Sequence, residues 1–101
     1  MAESTGYKVL FYGGPDGYLT NRAQIELYGP AGVIAWIRFN DPEMTFEADD
    51  QKDGIVRMHL PSGMFQSVLD VLRNEKPIHV YFAQDRGFLG TASVEPVGEG
   101  E

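Results

Sequence analysis

The sequence predicts a mainly β protein: a six-stranded antiparallel sheet curled into a small barrel or sandwich, with one α-helix inserted before the last hairpin. Three observations predict it. Short runs of β-branched and aromatic residues alternate with dense Gly, Pro and Asp turn signals along most of the chain. One segment alone, from Pro61-Ser62-Gly63 to about Asn74, repeats its apolar residues at helical spacing. A single amphipathic helix among strands must lay its apolar stripe on a sheet, which fixes the class.

Each element follows from local pattern. Tyr7 to Tyr12 is the first strand, with Val9 and Phe11 on one face and Leu10 and Tyr12 on the other. Gly13-Gly14-Pro15-Asp16-Gly17 turns the chain, because glycine supplies positive φ and proline presets φ. Arg22 to Tyr28 alternates Ala23, Ile25 and Leu27 against Arg22, Gln24 and Glu26, as a half-buried antiparallel strand does. Gly29-Pro30-Ala31-Gly32 turns again, and Val33 to Phe39 is the third strand. Asn40 to Asp53 reads as a long acidic loop, and Ile55 to Leu60 as the fourth strand.

The helix is expected over 62–74, with Ser62 as its N-cap, since a serine hydroxyl accepts a free backbone N–H of the first turn. Met64, Phe65, Val68, Leu69 and Leu72 form its apolar stripe, and Gln66, Asp70, Arg73 and Asn74 fall away from it. Pro77 to Ala83 and Phe88 to Ser93 are the fifth and sixth strands, joined as a hairpin by Gln84-Asp85-Arg86-Gly87. Residues 1–6 are expected to be a disordered N-terminus, 7–94 a single β-rich domain, and 95–101 an acidic flexible tail.

Composition narrows the chemistry. The 101 residues suffice for one domain with a modest core. With no cysteine, disulfides, iron–sulfur clusters and thiolate zinc sites are excluded, and the composition fits a reducing cytoplasm. The first six residues lack the basic and apolar regions of a signal peptide, and no apolar run approaches the roughly 18 residues of a membrane span. The expectation is a cytoplasmic protein with no membrane partner.

The net charge of −7 is local: of 15 acids, Asp41, Glu43, Glu47, Asp49, Asp50 and Asp53 share one loop, and Glu95, Glu99 and Glu101 the tail. The bases are dispersed along the chain, which argues against a nucleic-acid partner, because a phosphate groove needs clustered cations.

The third strand holds the best clue to a surface. With Val33, Ala35, Ile37 and Phe39 toward the core, Ile34, Trp36 and Arg38 face outward. The first and fifth strands are also apolar on both sides, the fifth setting Ile78, Val80 and Phe82 against His79, Tyr81 and Ala83. Either a second layer of the same domain covers the extra face, or Tyr12, Ile34, Trp36, Arg38, His79 and Tyr81 form an interaction surface. For such a surface the expected partner is a second copy of the chain, because symmetric dimers are so common.

Other candidates are weaker. His59 and His79 could approach each other if the strands flanking the helix paired, and an aspartate of the acidic loop could then complete a hydrolase-like or metal site. The spacing matches no metal signature, and no catalytic residue, metal or cofactor is expected. Asp49-Asp50-Gln51-Lys52-Asp53-Gly54 echoes a calcium loop, but Leu60 stands where the bidentate glutamate belongs. Gly13 to Gly17 lacks the lysine and the helix of a phosphate loop. No serine lies in a nucleophile elbow.

The stretch from His59-Leu60-Pro61-Ser62-Gly63-Met64-Phe65 through Leu72-Arg73-Asn74-Glu75-Lys76-Pro77, followed by Tyr81-Phe82 and Phe88-Leu89-Gly90-Thr91, resembles a group of short, uncharacterised bacterial β-rich proteins. The ending Glu95-Pro96-Val97-Gly98-Glu99 is similar too. The resemblance covers mainly the C-terminal half. It implies a bacterial origin and brings no activity, cofactor or site.

These readings converge on a small, non-enzymatic interaction module that self-associates through an aromatic sheet face. A small-ligand binder with a cleft between helix and sheet is the first alternative. A hydrolase-like enzyme built on His59, His79 and an aspartate is the second.

Overall fold

The computed structural model describes residues 2–91. It contains two sheets and one helix, in the order β1 (Ala2–Ser4), β2 (Gly6–Phe11), β3 (Ala23–Gly29), β4 (Gly32–Asn40), β5 (Asp50–Lys52), β6 (Ile55–Pro61), α1 (Phe65–Asn74), β7 (Ile78–Ala83) and β8 (Arg86–Thr91). The large sheet runs β2-β3-β4-β6-β5 and the small one β1-β7-β8. The mainly β class with one helix is as expected. The closed barrel and the single six-stranded antiparallel sheet are not: the sheets stay separate, and β4 pairs with β6 in parallel.

The parallel pair comes from the acidic segment. β5 pairs with the far side of β6, so residues 41–49 must cross β6 to reach it, and the Asp53-Gly54 turn then sends β6 back between β5 and β4. Both turn residues have positive φ, 54° and 80°, which an Asp-Gly pair supplies at low cost. Ala2–Ser4, expected to be disordered, pairs with β7 as β1. The tail 95–101 lies outside the described residues.

One face of the large sheet carries the core. Ala23, Ile25 and Leu27 of β3, Ala35, Ile37 and Phe39 of β4, and Val56 and Met58 of β6 are buried there, as alternation predicts. The helix covers one end of that face, where the Phe65 ring packs 5.0 Å from both Phe11 and Phe39. The small sheet covers the rest through Val80, with Phe82 and Leu89 beside it. Gly87 of β8 lies so close to Met58 and Val56 that a Cβ would collide with Met58.

Two expectations about the helix change. Ser62 does not cap it: residues Ser62–Met64 form a 3₁₀ turn and α1 starts without a side-chain cap. Val68 is the buried residue of the stripe, with Phe65 and Leu72 packed beside it, whereas Leu69 is half-buried and Met64 exposed. Of the expected stripe, the Phe65, Val68 and Leu72 line is the part that packs on the core.

Candidate functional site

The outer face of the large sheet is the side that neither the helix nor the small sheet touches. Alternation on β3 and β4 places Gln24, Glu26 and Tyr28 there beside Trp36 and Arg38. In register, Trp36 lies between Glu26 and Arg57, and Arg38 between Gln24 and His59. These neighbours form a connected polar frame. Gln24 Oε1 accepts from Arg38 Nε at 3.0 Å, Gln24 Nε2 donates to Glu26 at 3.1 Å, and the Tyr28 hydroxyl donates to Glu26 at 2.6 Å. Across the sheet, the Arg57 guanidinium donates two parallel bonds of 2.6 Å to Asp50.

Trp36 is the aromatic centre. The Arg38 guanidinium carbon lies 5.2 Å from its ring centroid, a cation–π distance. The indole N–H is shielded from water and has no hydrogen-bond partner among the described residues. Tyr12 flanks the face, its ring 5.3 Å from that of Tyr18. Burial pushes the Tyr12 phenol above its ordinary pKa, against the pull of the Arg38 charge. The bond to Glu26 raises Tyr28 in the same direction. Both phenols therefore stay neutral at physiological pH.

The expected surface is only partly assembled. Tyr12, Trp36 and Arg38 share this side of the molecule. Ile34 does not: Leu27 pairs with Ala35 and Tyr28 with Val33, so Ile34 is the extra residue of a β-bulge and packs against the core. Val33, expected in the core, is the residue that pairs with Tyr28. His79 and Tyr81 belong to the small sheet, on β7 positions that alternate with the buried Ile78 and Val80. There Tyr81 stacks on Phe88 with centroids 4.8 Å apart.

The two histidines are in different sheets and build no joint site. His59 is buried beside the loop that crosses β6, with Nδ1 3.4 Å from Asp49 Oδ1. His79 is on β7. Among the described residues, no group of three His, Cys, Asp or Glu side chains could hold a metal ion. The acidic loop also has structural duties that its sequence conceals. Arg22 holds the Asp41 carboxyl below the usual carboxylate range, and Arg57 does the same for Asp50. Asp49 accepts the His59 N–H at 2.8 Å and the Gly87 N–H at 2.9 Å.

Sequence reasoning missed the partners of Trp36. Gln24, Glu26 and Arg57 read as ordinary polar positions on strands, and only the register sets them around one ring. A second concavity, of about 370 Å³, opens between α1 and β8, lined by Met58, Leu60, Met64, Val68, Phe88 and Leu89. No family model, no curated protein and no solved structure matches the chain.

Proposed function

We propose that the protein is a small, non-enzymatic interaction module whose docking surface is the outer face of the large sheet, with a second copy of the chain as its partner. The observation that supports this reading is the position of Trp36. It lies on the sheet face opposite the helix and the small sheet, inside a frame of charged and amide side chains. An aromatic and arginine centre with a polar rim is the composition of a protein interface. Sedimentation equilibrium at high micromolar concentration tests it. The expected result is a dimer that Trp36→Ala weakens by about 2 kcal/mol while the monomer stays folded. A wild-type monomer, or a Trp36→Ala dimer of unchanged affinity, overturns it.

The groove between α1 and β8 favours a second reading, a binder of a small apolar ligand, because its walls are almost wholly aliphatic and aromatic. Fluorescence titration with an anilinonaphthalene sulfonate probe tests that reading. Saturable binding lost in Val68→Trp supports it, and no binding overturns it.

A further inference from the structure

We propose that the free edge of β2 is a self-complementary interface, where two copies pair their β2 strands antiparallel about a two-fold axis through Val9. β2 ends the large sheet, and among the described residues no strand pairs with its outer edge. The Tyr12 N–H donates to Arg22 O at 2.9 Å, which fixes the parity of the ladder. Bonded and non-bonded residues alternate along an antiparallel strand, so Lys8 and Leu10 bond to β3. Tyr7, Val9 and Phe11 therefore aim their N–H and C=O groups outward.

Such edges are usually blunted by proline, a bulge or an inward-pointing charge. Gly6–Phe11 has none of these, and its single charge, Lys8, is in register with Glu26 of the same chain.

The side chains show the same symmetry. Tyr7 and Phe11 lie two residues to either side of Val9, on the same face, and are 40% and 69% exposed. A two-fold through Val9 sets Tyr7 of each copy opposite Phe11 of the other. Val9 then meets Val9, and each facing pair of outward residues exchanges both its N–H and its C=O, which completes the ladder. The helix follows the same strand, with Phe65 on Phe11, and Leu72 and Arg73 line a cavity together with Tyr7. Leu69 lies between them, apolar, half-buried and outside the core cluster. The axis brings the two Leu69 flanks toward each other above the paired strands. This contact keeps the self-association of the proposed function but replaces the Trp36 face with the β2 edge as its seam, and it leaves both outer faces on one side of a continuous sheet.

Sedimentation equilibrium of the full chain tests the edge. The wild type is expected to be a dimer at high micromolar concentration. Phe11→Lys, at an exposed position, and Val9→Pro, which removes an N–H that bonds nothing in its own sheet, are both expected to be monomers with unchanged far-UV circular dichroism. Crosslinking gives a second measurement, because the chain has no cysteine. Val9→Cys places thiols on the axis, where the Cα atoms of a bonded pair lie about 5.5 Å apart, within disulfide reach. Oxidation should link Val9→Cys chains in pairs and leave Trp36→Cys chains single. A wild-type monomer, or dimers that persist in both edge variants, overturns the proposal. If Trp36→Ala alone abolishes the dimer, the edge is wrong and the face reading stands. If the edge variants alone abolish it, the edge stands and the face is not the dimer contact.

Discussion

The Asp49 carboxylate accepts the Gly87 N–H at 2.9 Å, and through that bond a residue of the acidic loop ties the small sheet to the large one. Its other oxygen takes the His59 N–H, on the part of β6 that β5 leaves uncovered. One side chain thus supplies the acceptor for a backbone donor in each sheet. Backbone donors left without an acceptor in such a place cost stability.

Asp49→Ala should therefore destabilise the fold by about 2–4 kcal/mol, since two partly buried backbone donors lose their acceptor. Asp49→Asn should cost less, because it keeps one acceptor oxygen. Urea melts of the two variants check this. A loss below about 0.5 kcal/mol for Asp49→Ala would show that water replaces the carboxylate.

Asp41 and Asp50 give the stability an acid limb. Their arginine partners lower both folded pKa values, so each carboxylate binds its proton more weakly in the folded chain than in the unfolded one. The stabilisation is present above the ordinary carboxylate range, near pH 4, and is lost as pH falls through the folded values. Arg22→Met and Arg57→Met should each flatten the decline of the urea midpoint below pH 4. Slopes identical to wild type would rule out these pairs as its source.

Gly17 has φ of 62°, and a Cβ there would run into the backbone carbonyl of Asn21. Gly17→Ala should cost on the order of 2–4 kcal/mol, because neither strain nor collision can be relieved by a side-chain rotation. Gly14, also at positive φ, has nothing within 4 Å of a Cβ, and Gly14→Ala should cost about 1 kcal/mol. Thermal melts that rank the two in the opposite order would contradict the turn geometry.

The tip of the Tyr18–Asn21 turn holds Leu19 and Thr20 at φ of 52° and 59°, a conformation that non-glycine residues adopt only at a cost. Leu19→Asn with Thr20→Gly should stabilise the chain by about 1 kcal/mol, as turn residues suited to positive φ do. The Thr20 carbonyl that accepts the Asn40 amide belongs to the backbone and remains. A lower melting temperature in the double variant would show that the Leu19 side chain has a packing partner.

In the helix, Val68→Ala should cost about 2 kcal/mol and Leu69→Ala about half as much in the monomer. Asp70→Ala should cost 0.5 kcal/mol or less. Melts at low micromolar concentration read the monomer, and a larger loss at Leu69 would restore the orientation that the sequence stripe suggests.

Some of the fold is decided among a few neighbouring residues, through sterics and period. The inward set of β3, Ala23, Ile25 and Leu27, follows from strict alternation. The helix follows from its 3.6-residue spacing, and the turns after β3 and β7 from Pro-Ala between glycines and from Gln-Asp. Which distant segment each element meets is set by long-range packing instead. β5 is Asp50-Gln51-Lys52, with no apolar pattern to announce a strand, and it exists because β6 and the Arg57–Asp50 pair hold it. The bulge at Ile34 reverses two faces by one residue, and no local pattern marks it, because Val33 and Ile34 are equally apolar. Two free sheets rather than a barrel follow from the same limit. Closure is a matter of long-range pairing, and the residues of β2 and β8 do not encode locally whether their outer edges find a partner.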